Sequence, residues 1–170
     1  MATFNRNPAF WFIRIGIALV IGGSSYLLSG VPNSKQSTPY WSSWHSWQLT
    51  AKPVMKNVTQ SLGAIADDFS QINSSKSSTF SPVKFVRDLK TLRSSTAQLK
   101  SVAHSPDTLL NIRILGYVTA LTNFQDDLKN GTGRNPVSGS VLSKSVDQIV
   151  NDAKGVTSEW NREVRQYNSL

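Results

Sequence analysis

A serine three residues before a lysine, Ser81-Pro82-Val83-Lys84, is the spacing at which an amine can activate a hydroxyl for acyl transfer. The Ser-Asp-Asn and Lys-Thr-Gly motifs that complete such a site are absent from the chain. Ser81 also stands where a helix N-cap belongs, so its expected role is structural. His45 and His104 are the only imidazoles, and no Gly-x-Ser-x-Gly elbow accompanies them. With no cysteine in the chain, a thiolate nucleophile, a thiolate metal site and a disulfide framework are all excluded. Two acidic doublets, Asp67-Asp68 and Asp126-Asp127, have the composition of a metal or proton site. Di-metal bundles, however, pair Glu with Glu-x-x-His, and the only glutamates, Glu159 and Glu163, lack that histidine. The doublets are therefore expected on solvated faces. No phosphate-cradling glycine loop is present. The sequence names no catalytic residue, no metal ligand and no cofactor, and an enzyme is not expected.

Two other groupings suit binding. Trp41, Trp44 and Trp47 recur every third residue, which places the indoles on one side of a helical turn. Such a row makes an aromatic belt at a membrane surface, packing for the end of a bundle, or a stacking platform for a ligand. Lys84, Arg87, Lys90, Arg93 and Lys100 face a lone Asp88 in the next basic stretch, a pattern suited to an anionic surface or to a solvated helix. Trp41, Trp44, Trp47, Lys84, Arg87, Lys90 and Arg93 are the candidate partner or membrane interface.

The elements that must carry these groups are helical. Met55, Val58, Leu62, Ile65, Phe69 and Ile72 alternate steps of three and four, the spacing of one helix face. Phe85 through Ala103, Leu110 through Leu128, and Leu142 through Tyr167 repeat the pattern. Pro53, Pro82 and Pro106 fit first-turn positions, Ser81 and Ser105 fit N-caps, and Gly131 fits a helix stop. The fold class expected is all-α, an antiparallel four-helix bundle behind one transmembrane helix.

That helix is residues 9–29 (AFWFIRIGIALVIGGSSYLLS), close to the roughly 20 apolar residues that cross about 30 Å of hydrocarbon. Its exit lacks a small-x-small cleavage site, which favours a retained signal anchor over a cleaved peptide. Arg6 and Arg14 outweigh Lys35, placing the N-terminus inside and the domain outside; an acid-free, Arg-containing start also suits the mitochondrial inner membrane. The organisation expected is a cytoplasmic segment (1–8), an anchor (9–30), a Ser/Trp-rich juxtamembrane linker (31–48) and an extracytoplasmic bundle (49–170). Small residues Ala18, Gly22, Ser25 and Ser29 along the anchor would allow homo-oligomers.

The net charge is +8, carried by a chain in which 16% of residues are charged. This mild basicity suits anionic lipid, wall polymer or an acidic protein, and no nucleic-acid module is present. The function expected is a membrane-anchored extracytoplasmic interaction module, an envelope component or an exclusion or immunity protein. The alternative is a sensor domain for a small or anionic envelope molecule.

Overall fold

An apolar stripe along a helix is stable only against another stripe, and four such stripes in one short chain can satisfy one another. The computed structural model describes residues 39–73, 80–131 and 139–168. The described residues form four helices and no strand: α1 (Pro39–Asn73), α2 (Pro82–Ser101), α3 (Thr108–Gly131) and α4 (Gly139–Asn168). None of these is long and apolar enough to cross a membrane. The apolar stretch 9–29 and residues 74–79 lie outside the described residues.

The stripes meet in one core. Met55, Val58, Leu62, Ile65 and Phe69 of α1 pack with Phe85, Leu92 and Leu99 of α2. Leu110, Ile114, Tyr117, Leu121, Phe124 and Leu128 of α3 join Leu142, Val146, Ile149, Val156 and Trp160 of α4. Neighbours run antiparallel: Ser61 meets Ser95 at 2.9 Å, Gln125 donates to Thr96 at 2.8 Å, and Arg162 reaches Asp107 at 2.6 Å. The Ser61, Ser95, Thr96 and Gln125 bonds form a polar seam inside α1, α2 and α3. Each buried hydroxyl or amide there has a partner, so the seam costs little.

Three boundaries differ from expectation. The residues assigned to a linker up to 48 are helical from Pro39, so α1 starts ten residues before the expected domain edge at Leu49. Pro53 accordingly lies inside α1, not in its first turn. Its missing N–H strands the carbonyl of Leu49, and both residues are exposed, so water can serve that group. At α3, Asp107 replaces Ser105 as the cap: its Oδ1 accepts the backbone N–H of Leu110 at 2.6 Å, while Ser105 Oγ donates to the Asp107 carbonyl. A carboxylate also suits the positive end of the helix dipole. Ser81, by contrast, caps α2 as its spacing predicts, accepting from the Lys84 N–H at 3.3 Å with Pro82 beginning the helix. Gly131 ends α3.

A chain begun at Leu49 should lack a cooperative fold, whereas one begun at Pro39 should keep it. Trp41, Trp44 and Trp47 are all buried, and losing a buried Trp costs about 3–5 kcal/mol against a net stability of about 5–15 kcal/mol. Near-ultraviolet dichroism and urea unfolding of the two fragments would measure this. A sharp transition in the shorter one would contradict the packing described.

Candidate functional site

The tryptophan row does not face a partner. Trp44 is fully buried, and Trp41 and Trp47 nearly so. Steps of three along α1 turn all three indoles inward, where Trp160 of α4 completes the cluster. Ring centroids lie 5.1 Å apart for Trp44 and Trp47, 5.6 Å for Trp44 and Trp160, and 5.1 Å for Trp47 and Trp160. Tyr167 meets Trp41 edge-on at 5.2 Å. Trp47 Nε1 donates to the Val102 carbonyl at 2.7 Å, which satisfies the frayed end of α2. Of the alternatives the spacing allowed, packing at the end of the bundle is the one formed. The belt and the stacking platform would need exposed rings.

Beside this cluster lies a group of carboxylates that the sequence reading missed. Asp107, Glu159 and Glu163 are all buried. Arg162 Nη2 stands between them, 2.6 Å from Asp107 Oδ2, 2.5 Å from Glu159 Oε1 and 2.9 Å from Glu163 Oε1. Tyr40 OH donates to Glu163 Oε2 at 2.5 Å and ties the start of α1 to the end of α4. Burial raises the Tyr40 phenol above its ordinary range, and the Glu163 hydrogen bond adds to this. The hydrogen bond to Glu163 likewise holds the Arg162 guanidinium above its usual value, against a smaller loss from desolvation.

One oxygen from each carboxylate lies within 4.8 Å of the others, close enough to share one cation. The guanidinium already fills that position with a permanent charge, and a metal would have to displace it. The cluster therefore reads as a buried structural ion network. The signal for it was Glu159 and Glu163, four residues apart on one helix side and flanking the apolar stripe at Trp160 and Val164.

A second network closes the other end. Asp68, expected on a solvated face, is 1% exposed, and Asp88 is also buried. Lys84 Nζ bonds Asp68 and, at 2.7 Å, Asp88 Oδ2; Arg87 Nε lies 3.4 Å from Asp88 Oδ1. Lys84 is thus not part of a free basic surface. Its bonds to Asp68 and then Asp88 hold its ammonium above the ordinary range, so it is no base for Ser81. The same Lys84 bond, against desolvation, holds the Asp88 carboxyl below its usual range. The other doublet is split: Asp126 is exposed, while Asp127 is half-buried and accepts from Ser145.

These networks change the surface more than the core. All ten acidic residues lie in the described residues, yet five are buried and only Asp67, Asp126 and Asp147 are exposed. Ten lysines and arginines are exposed among the described residues. On α2, Arg87, Lys90, Arg93 and Lys100 are exposed beside Val83 and Val86, and the helix has no exposed acid. A groove of about 330 Å³ runs between α1 and α2, lined by small hydroxyls and amides such as Ser61, Ser95, Gln60 and Gln98, with Asp88 at one end. Compared with known protein families, curated proteins and solved structures, the chain matches none.

Three outcomes follow from this geometry. Arg162→Met leaves three buried carboxylates without their cation. It should cost about 2 kcal/mol, below the about 3–5 kcal/mol of a fully buried pair because 42% of the Arg162 side chain is exposed to screening. Lys84→Met should cost about as much near neutral pH. The Asp88 part of that deficit should shrink as pH falls below about 4, where protonation cancels what a lowered carboxyl contributes. The Lys84 part should shrink as pH rises above about 10.5, where a raised ammonium loses its charge. Urea melts of both chains from pH 3 to 11 would test this, and a deficit independent of pH would refute the ion pairing. Among the indoles, Trp47→Phe should destabilise more than Trp44→Phe. Only Trp47 Nε1 has a bond to lose, whereas Trp44 Nε1 is buried with no hydrogen-bond partner among the described residues.

Proposed function

We propose that the chain is a non-catalytic interaction module, an antiparallel four-helix bundle that binds an acidic protein partner of a cell envelope through the outward face of α2. In this reading residues 9–29 anchor it in a membrane with the bundle on the extracytoplasmic side. The observation that carries the proposal is the charge asymmetry of the surface: buried carboxylates and displayed cations, with four of the exposed cations on α2. Lys90, Arg93 and Lys100 share one face with Val83 and Val86, so the surface offers charge for steering and apolar area for contact. Two of the four residues proposed from the sequence on this helix, Lys90 and Arg93, remain central. Arg87 sits at the edge against Asp88, and Lys84 is committed to its ion pairs.

The test uses the full chain in native membranes, with a photoreactive side chain in place of Lys90 or, as a control, Lys144 of α4. A discrete adduct is expected from position 90 and not from 144. It should weaken in high salt and fall about five- to tenfold in an Arg93→Glu, Lys100→Glu chain, the scale of two exposed ion pairs turned repulsive. Equal adducts from both positions would reject the α2 face.

A second reading, a sensor for a small polar molecule, is favoured by the groove between α1 and α2, whose volume lies at the lower end of the about 300–1,000 Å³ typical of ligand sites. A saturable rise in melting temperature with sugars or amino acids, abolished by Ser95→Leu, would favour it over the first.

A further inference from the structure

The first turns of α3 expose three large apolar side chains at intervals of three residues: Leu109 at 39%, Ile112 at 59% and Leu115 at 43%. At 100° per residue they span an arc of about 120° on one outward face. Singly exposed leucines are ordinary, but a row of three on consecutive turns is not. None of the three belongs to the core or to either ion network. Arg113 borders the row and is exposed. Its side chain runs over α4, so close to Gly155 that a methyl there would stand 3.3 Å from Arg113 Cδ.

The position of this row in the bundle indicates what covers it. Asp107 caps α3 and, through Arg162 and Glu163, meets Tyr40 near the start of α1. Leu109, Ile112 and Leu115 therefore lie at the end of the bundle from which the chain continues toward residues 9–29. Nine residues separate Ser29 from Pro39, a span of at most about 32 Å at roughly 3.5 Å per residue. Arg165 of α4 is exposed at the same end. An apolar row bordered by Arg113, on a short tether from an apolar span, has the composition of a surface that settles into an anionic lipid interface.

We propose that the Leu109–Ile112–Leu115 row of α3, flanked by Arg113, docks the bundle onto the anionic phospholipid surface of the membrane to which the chain is tethered. This rests on the reading of residues 9–29 as an anchor and assigns the anchored bundle its orientation. It leaves the basic face of α2 for the protein partner.

The absence of cysteine makes the test direct. Ile112→Cys and Lys144→Cys full chains, each carrying an environment-sensitive fluorophore, are reconstituted into vesicles of phosphatidylglycerol and phosphatidylcholine. Expected is a blue-shifted signal at 112 that nitroxide-bearing lipids quench at least threefold more than at 144, with protection from aqueous iodide. The contrast should fall several-fold in phosphatidylcholine alone or with Arg113→Glu. A chain retained by the vesicles whose label at 112 is as open to iodide as that at 144 overturns the docking and leaves the anchor reading standing. A chain released by alkaline carbonate overturns both. Shielding at 112 from iodide and lipid quencher alike overturns lipid docking in favour of a second copy of the chain on this face.

Discussion

A carboxylate removed from water must meet a positive charge or a set of hydrogen-bond donors, or its ionised form becomes prohibitively costly. This bundle buries five carboxylates and meets them at two points. Arg162 holds Asp107, Glu159 and Glu163 at one end, and Lys84 holds Asp68 and Asp88 at the other. Each network crosses between helices: Arg162 links α4 to the cap of α3 and, through Glu163, to Tyr40 of α1, while Lys84 links α2 to α1. Helix register is thereby specified at both ends, where apolar packing alone tolerates sliding. The register of the middle is left to shape and to the small polar seam of Ser61, Ser95, Thr96 and Gln125.

The tryptophan cluster depends on the same constraint. Indoles from α1 and α4 fill the space between those helices, and the Tyr40–Glu163 bond and the Arg162 network lie along its edge. Trp47 also spends its N–H on Val102, so the cluster secures the end of α2. Bulky rings and the half-exposed Arg162 guanidinium together brace the end of the bundle at which α1 begins.

Burying acids has a consequence at the surface. Composition describes a mildly basic protein, but the fold buries half of the acidic residues and, among the described residues, no lysine or arginine. Among the described residues the exposed charges are accordingly mostly cationic, and their influence extends over roughly a Debye length of about 8 Å at physiological salt. Structural ion networks and surface charge are thus coupled in this chain: moving a carboxylate from the core to the surface would alter both.

Helix identity and the inward face of each helix were legible in the residues, because a period of 3.6 is a local property that packing has only to accept. The cap at Ser81, the stop at Gly131 and the buried rows of α1, α3 and α4 all follow from it. The start of α1 was not legible, since Pro39 and Pro53 both fit a first turn and only the indoles' contact with Trp160 decides between them. Asp68, Asp107, Glu159 and Glu163 were read as solvated or not read at all. A carboxylate beside an apolar stripe is buried or exposed according to whether a cation on another helix reaches it, and no local pattern records that. The sequence by itself determined which side chains share a helix face. Which charges are buried, and so which are left at the surface, was decided only when Arg162 and Lys84 met their carboxylates across the bundle.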